Sequence, residues 1–172
     1  AVGMTQTIRI LGIDPGLRKT GWGLVETSGS RLVYVDHGVI SIDPKRDLAQ
    51  RLSGIFEAIQ DLVLSYRPHL AGVEETLINS NPRSALKLGQ ARGVALAALA
   101  VNGLEVSEFA PRAIKLAVVG SGAADKTQVA FMVRRLLPKA GEMCFDAADA
   151  LACAICTAHS RDTVSSRQGQ AI

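Results

Sequence analysis

IRILGIDPGLRKTGWG, residues 8–23, is the stretch from which the rest of the fold can be read. Its apolar start, residues 7–14, ends abruptly at Pro15-Gly16, which predicts a short buried strand with Asp14 at its C-terminal end. Residues 20–26 and 31–42 read as two further strands, joined by the turn Ser28-Gly29-Ser30. The chain is therefore expected to open with three antiparallel strands. A strand is rigid, so Asp14 is held at the sheet edge. Gly12, Gly16, Gly21 and Gly23 leave room for something bulky, such as a phosphate, to approach the backbone. The same residues also fit a plainer role, in which Asp14 starts and caps a Pro-Gly turn. This stretch alone does not choose between the two.

Downstream, strands alternate with helices. Leu48, Leu52, Ile55, Ile59, Leu62 and Tyr66 recur at spacings of three and four and predict one amphipathic helix, opened by Asp47 and ended at Arg67-Pro68. Residues 70–74 form a short apolar run that finishes in Glu74 and Glu75. Asn81 as N-cap and Pro82 as first helical residue predict a helix over 82–101. That helix is rich in Ala and Gly, so it is either central to the fold or packed on a second subunit. A strand over 104–109 and helices starting at Pro111, Asp125 and Asp146 complete the order β-β-β-α-β-α-β-α-α-α. This pattern predicts an α/β fold: a mixed five-stranded sheet, its first three strands antiparallel, with helices on both faces. One domain is expected over 7–160, followed by a flexible tail over 161–172. Residues 1–3 precede the first Met and are expected to be an added remnant.

Composition narrows the class. At 172 residues, with 48% apolar and 20% charged side chains and a mean hydropathy of +0.20, the chain can bury a substantial core. No apolar run approaches the roughly 20 residues of a membrane span, and the N-terminus lacks a basic-then-apolar leader. A cytoplasmic location without a membrane partner is expected. Three cysteines suit a reducing compartment. Cys153 and Cys156 form a CxxC flanked by Cys144 and His159, but it falls inside a predicted helix and no second CxxC answers it. Small buried side chains are the preferred reading over a zinc site. The net charge is +3, unevenly spread: residues 83–139, from Arg83 to Lys139, hold nine Lys or Arg against three Asp or Glu. A basic middle segment suits a phosphate backbone as partner, and equally an ordinary solvated surface.

The carboxylates carry the chemistry. Glu74, like Asp14, ends a buried strand. If those strands are parallel neighbours, the two emerge side by side at the edge where open α/β sheets place ligands. Strand alternation turns Glu75 to the opposite face. In FDAADALA, residues 145–152, Asp146 and Asp149 share one helix face. Acids in a first turn also serve as caps or complement the helix dipole, and Asp146 suits that role. A cap requires one carboxylate, however, and this face carries two. Four converging acids need a cation between them, and Mg²⁺ and Mn²⁺ favour carboxylate oxygen. Two such ions, about 3.5–4 Å apart, can drive in-line phosphodiester cleavage.

At this point the chain resembles the RuvC family of Holliday junction resolvases, within the ribonuclease H-like superfamily. The resemblance rests on ILGIDPGLRKTGWG, GVEETLINSNPRSALKLGQARG, the stretch from Pro111 through VVGSGAADKTQV, and FDAADALA. It implies a homodimer that nicks four-way DNA junctions symmetrically, in recombination and repair, with two Mg²⁺ ions per site and Mn²⁺ able to substitute. It places the family's catalytic and metal-binding acids at Asp14, Glu74, Asp146 and Asp149. The family's functional lysines fall on Lys115 and Lys126, the latter at a helix start suited to an anion. Leu77 and Arg83 join them as expected DNA contacts. Leu77 stands where many members carry an aromatic that stacks on a base, so it can wedge but not stack. The family's preference for a thymine-rich cleavage sequence is accordingly not assumed. A branch-migration motor of the RuvA and RuvB type is the further partner implied.

Three rival readings share some of these features. An ATPase of the actin and sugar-kinase kind shares the Asp-x-Gly turn but needs a second phosphate hairpin and an adenosine pocket, neither of which is visible. A nuclease acting on RNA or hybrid duplexes would use the same acids. A non-catalytic junction-binding module would need the basic segment but not four acids, which repel phosphate when no metal is bound.

Overall fold

The structure, a computed structural model, describes residues 5–75 and 81–168, with the side chains of 162–168 excepted. The elements are β1 (Ile8–Asp14), β2 (Lys19–Ser28), β3 (Arg31–Ser41), α1 (Leu48–Tyr66), β4 (Leu70–Glu74), α2 (Pro82–Val101), β5 (Glu105–Phe109), α3 (Pro111–Val119), α4 (Lys126–Leu136), a 3₁₀ turn (Pro138–Ala140) and α5 (Phe145–Gln168). One five-stranded sheet runs β3-β2-β1-β4-β5. The first three strands are antiparallel, whereas β4 and β5 run parallel to β1. This is the mixed sheet expected from the strand and helix order.

Alternation along the strands builds two cores. Leu11, Ile13, Leu24, Ala71 and Val73 face α1 and α2, where they meet Ile55, Ile59, Val63, Ala95 and Leu99. Ile8, Ile10 and Val25 face the other way, toward Ile114, Val129, Val133, Leu151 and Ile155 of α3, α4 and α5. Apolar residues on both faces of β1 are what a central, doubly covered strand requires.

Local signals set the helix boundaries. Asp47 accepts a hydrogen bond from the Gln50 amide (2.9 Å) to open α1, and Arg67 closes it with a left-handed φ of 49° before Pro68. The buried residues of α1 are Ile55, Ile59 and Val63, while Leu48 is exposed, so the buried face is turned slightly from the one expected. Asn81 caps α2 through the amides of Arg83 and Ser84. α5 begins one residue earlier than expected and continues past His159 to Gln168. No Pro or Gly interrupts the chain until Gly169, so nothing local ends the helix sooner.

Candidate metal centre

Asp14 and Glu74 end β1 and β4, which pair in parallel with Ile13 opposite Val73. Ile10 and Leu70 belong to the α5-side core, so the alternate residues Asp14 and Glu74 turn toward α5. α5 lies on this face because the strands have no side chains under it. Gly23, Gly12 and Gly72 stand opposite one another across β2, β1 and β4. A methyl group on Gly12 would lie 2.0 Å from the Ala150 carbonyl oxygen. On Gly21 it would lie 2.0 Å from that of Asp146, and on Gly23 it would strike the Leu151 side chain. The helix answers with buried Ala147, Ala148, Ala150 and Ala154. The space at Gly12, Gly21 and Gly23, expected to admit a phosphate, is filled by this helix instead. Gly16 serves the turn, where a methyl would meet the Lys19 carbonyl at 2.2 Å.

This contact brings Asp149 down onto the strand ends. One carboxylate oxygen each from Asp14, Glu74 and Asp149 lie within 4.8 Å of one another. Asp146 stands one turn earlier, outside that trio but close enough for its charge to act on Asp14 and Asp149. It is not the helix cap: α5 starts at Phe145, so Asp146 lies within the first turn, and among the described residues its carboxylate caps no amide. Glu75 is not part of the cluster.

Burial and mutual repulsion raise every acid of the trio. Desolvation first, then the Glu74, Asp149 and Asp146 charges, push Asp14 to about 8. Glu74 rises to about 7, chiefly through desolvation and Asp149, with Lys115, a hydrogen bond from Asp14 and Lys126 opposing. Asp149 is also raised, again first by desolvation, and is held back by Lys126 and Lys115. A clustered set of oxygen donors that resists ionisation on its own is suited to a divalent cation.

The basic residues divide. Lys115 on α3, half-buried, and Lys126 at the start of α4, exposed, are the two cations whose charge reaches the cluster. The α4 N-terminus is not a free anion site, since Asp125 already accepts from the Gln128 amide at 2.8 Å in a capping box. Lys126 therefore contributes its side-chain charge alone. Arg83 is exposed at the start of α2, and Leu77 lies outside the described residues. Cys153 and Cys156 are small buried core side chains as expected, whereas Cys144, expected to be buried with them, is exposed just before α5. One residue not singled out from the sequence braces the site: Arg92 of α2 donates to the Glu74 carbonyl (3.4 Å) and pairs with Glu108 of β5. Its position in GQARG gave no sign of this, because the link depends on how α2 crosses β4 and β5.

A mixed sheet of this order, with carboxylates gathered at the ends of parallel strands and on a helix laid across them, defines a nuclease of the ribonuclease H-like class. Comparison makes the assignment specific. Residues 10–157 match the family described as crossover junction endodeoxyribonuclease RuvC. The crossover junction endodeoxyribonuclease RuvC of Hyphomonas neptunium is 69% identical over 158 residues, covering 91% of this chain and 93% of the relative. The structure of Thermus thermophilus RuvC in complex with Holliday junction substrate superposes with a TM-score of 0.85 at 30% identity, covering 91% of this chain and 96% of that one. The yeast mitochondrial Holliday junction resolvase Ydc2 shares the fold, with a TM-score of 0.64 at 16% identity over 96% of this chain and 88% of that one. The chain belongs to the RuvC family of crossover junction endodeoxyribonucleases, structure-selective enzymes that resolve four-way DNA junctions and depend on divalent metal. Among the described residues, no helix is long and apolar enough to cross a membrane.

Proposed function

We propose that Asp14, Glu74, Asp146 and Asp149 are the catalytic and metal-binding residues of this junction resolvase, holding two Mg²⁺ ions for which Mn²⁺ can substitute. The observation that carries this is the convergence of Asp14, Glu74 and Asp149 from two strands and a helix to within 4.8 Å. When bound, the ions polarise the scissile phosphodiester and acidify the attacking water. Asp14, at the centre of the cluster, supplies oxygen to the metal. Glu74 and Asp149 orient the site from either side, and Asp146 extends it toward solvent. Lys115 and Lys126 offset the negative charge that a phosphate meets on approach. Arg83, exposed at the start of α2, contacts DNA, as does Leu77. The unit spans residues 7–160 and acts in the cytoplasm.

Partner and assembly follow from the same surface. The substrate is four-way junction DNA, and the two-fold character of a junction is met by a homodimer. The outward face of α2 suits that contact: Leu86 is exposed, and methyl groups on Gly89 or Gly93 would meet nothing within 4 Å. A motor of the RuvA and RuvB type supplies the junction. Reading the chain as a hybrid-duplex nuclease requires no different acids. Cleavage of a synthetic four-way junction, a hybrid duplex and linear DNA in parallel, with Mg²⁺, Mn²⁺ and Ca²⁺, separates the two. Preference for the junction is expected, and equal cutting of the hybrid would count against the proposal.

The raised acids give a pH signature. Between pH 3.8 and about 8 the folded protein retains a proton on Asp14 that the unfolded chain has released, and Glu74 does the same between 4.5 and about 7. The folded state binds more protons in that window, so stability in chelator should fall as pH rises through it and level off above pH 8. Divalent cation reverses this. At about 100 times its dissociation constant it adds about 2.7 kcal/mol, or roughly 5–10 °C in Tm for a chain of this size. The metal-induced rise should be larger at pH 8 than at pH 5, where protons compete. A melting series in EDTA and in Mn²⁺ that showed no pH dependence in either would contradict a buried carboxylate cluster.

Lys115→Ala should slow cleavage while leaving the fold intact, since its side chain is only half-buried. It should also flatten the salt dependence of junction binding by about 0.9 in log–log slope, the loss of one phosphate contact. An unchanged slope would remove Lys115 from the DNA interface.

A further inference from the structure

On the β2–β3 flank of the acid cluster an open groove of about 490 Å³ is lined by Arg18, Lys19, Ser41, Ile42, Pro44 and Asp146. It thus shares one wall, Asp146, with the catalytic cluster and has two cations on another. Arg18 and Lys19 are both exposed, and neither side chain forms an ion pair or hydrogen bond among the described residues. Two unpaired cations beside a cluster of acids, rather than paired with it, leave their charge available to an incoming anion.

The platform beneath them is rigid. Thr20 is fully buried and donates to the Gly16 carbonyl (2.8 Å) while accepting from the Gly16 amide (3.2 Å). The Arg18 carbonyl accepts from the Ile42 amide at 3.1 Å. The Leu17 carbonyl accepts from Arg51 at 3.4 Å. The β1–β2 connection is thereby tied to the end of β3 and to α1, which fixes the backbone from which Arg18 and Lys19 project. Ile42 and Pro44 add an apolar side to the groove, suited to a deoxyribose face.

The α3 lysine serves a different flank. Lys115 follows β5 and acts on Glu74, at the β4 side of Asp14, whereas the groove lies beyond β2 on the other side. A strand crossing the cluster would run from one set of cations to the other. We infer that Arg18 and Lys19 form a phosphate-binding subsite for the cleaved DNA strand, gripping the backbone next to the scissile phosphate on the side away from Lys115. This rests on the proposed nuclease reading of the acid cluster. It assigns the strand a path that the acids alone do not define.

The test uses the full chain and a synthetic four-way junction. Binding is measured in Ca²⁺ across a salt series, and cleavage in Mg²⁺. Arg18→Gln with Lys19→Gln should reduce the log–log salt slope by about 1.8, at about 0.9 per contact, and weaken binding about tenfold or more. A neutral methylphosphonate placed singly at each phosphate near the cut should weaken the parent at one or two flanking positions. The double variant should be indifferent to the modification there, as expected when the two changes remove the same contact. Arg18→Lys with Lys19→Arg should restore the slope. An unchanged slope, or a double variant that remains as sensitive as the parent at every position, would overturn the subsite. A parent enzyme that cuts no junction would instead overturn the nuclease reading on which it rests. If the double variant melts well below the parent, the single Lys19→Gln change carries the same slope and methylphosphonate tests.

Discussion

Asp14→Asn should abolish junction cleavage, by about 10³-fold or more, while leaving junction binding in metal-free buffer close to that of the parent. Asp14 is the acid on which the others converge: Glu74, Asp149 and Asp146 all act on it, and only Lys126 opposes them. Asparagine keeps the shape and one carbonyl oxygen but cannot become an anionic ligand. Losing a group that stabilises developing charge costs about 10²–10³ in rate, and weakened metal occupancy adds to that. Binding depends on cations outside the cluster, and removing an acid lessens repulsion of phosphate, so affinity in EDTA should hold or improve. The fold should also tolerate the change. Asp14 is held at about 8 because its ionised form is disfavoured there, so in chelator above pH 8 the variant should melt at or above the parent's temperature. Single-turnover cleavage, gel-shift binding in EDTA and thermal melting at pH 9 test the three parts. Cleavage within tenfold of the parent would remove Asp14 from the catalytic set.

The distinction between these outcomes bears on what was legible in the sequence. The order of elements could be read because each carries a local cause: an apolar run cut by Pro15-Gly16, a cap at Asp47, Asn81 with Pro82. The pairing of Asp14 with Glu74 was also accessible, since two apolar strands ending in acids have few other ways to lie in one sheet. What could not be read was what fills a gap. Gly12, Gly21 and Gly23 advertise a missing side chain, but sequence does not say whether a ligand or a neighbouring helix occupies the space. The structure puts α5 there, its backbone at Gly12 and Gly21 and the Leu151 side chain at Gly23. The same limit applies to Lys126: a helix start beside it can be read from the sequence, but that helix end is already taken by the Asp125 side chain. Arg18, Lys19 and Arg92 depend on crossings between distant elements, and no spacing encodes them.

Those glycines lead to the other large expected effect. Gly12→Ala should lower Tm substantially, and Gly12→Val should prevent the native fold. The added methyl would lie 2.0 Å from the Ala150 carbonyl, 2.7 Å from the Ala154 amide nitrogen and 3.0 Å from the Ala154 side chain. Two of these three atoms are helix backbone, which cannot rotate aside, so the helix must lift or β1 must sink. β1 has no room to sink, because Leu11 and Ile13 are fully buried against the α1 and α2 side. Overpacking of this kind costs about 1–3 kcal/mol even where side chains can adjust, so a loss of roughly 5–10 °C or more is expected for Ala. A bulkier β-branched residue adds two further atoms at the same place. The functional consequence is separable from the loss of stability. Lifting α5 carries Asp149 away from Asp14 and Glu74, whose oxygens meet it within 4.8 Å. At temperatures where Gly12→Ala remains folded by circular dichroism, its affinity for Mn²⁺ should therefore fall, while junction binding in EDTA, which depends on surface cations, should not. Metal affinity equal to the parent in a variant that had lost stability would show that the helix yields without moving its acids, and the glycine row would then matter for packing alone.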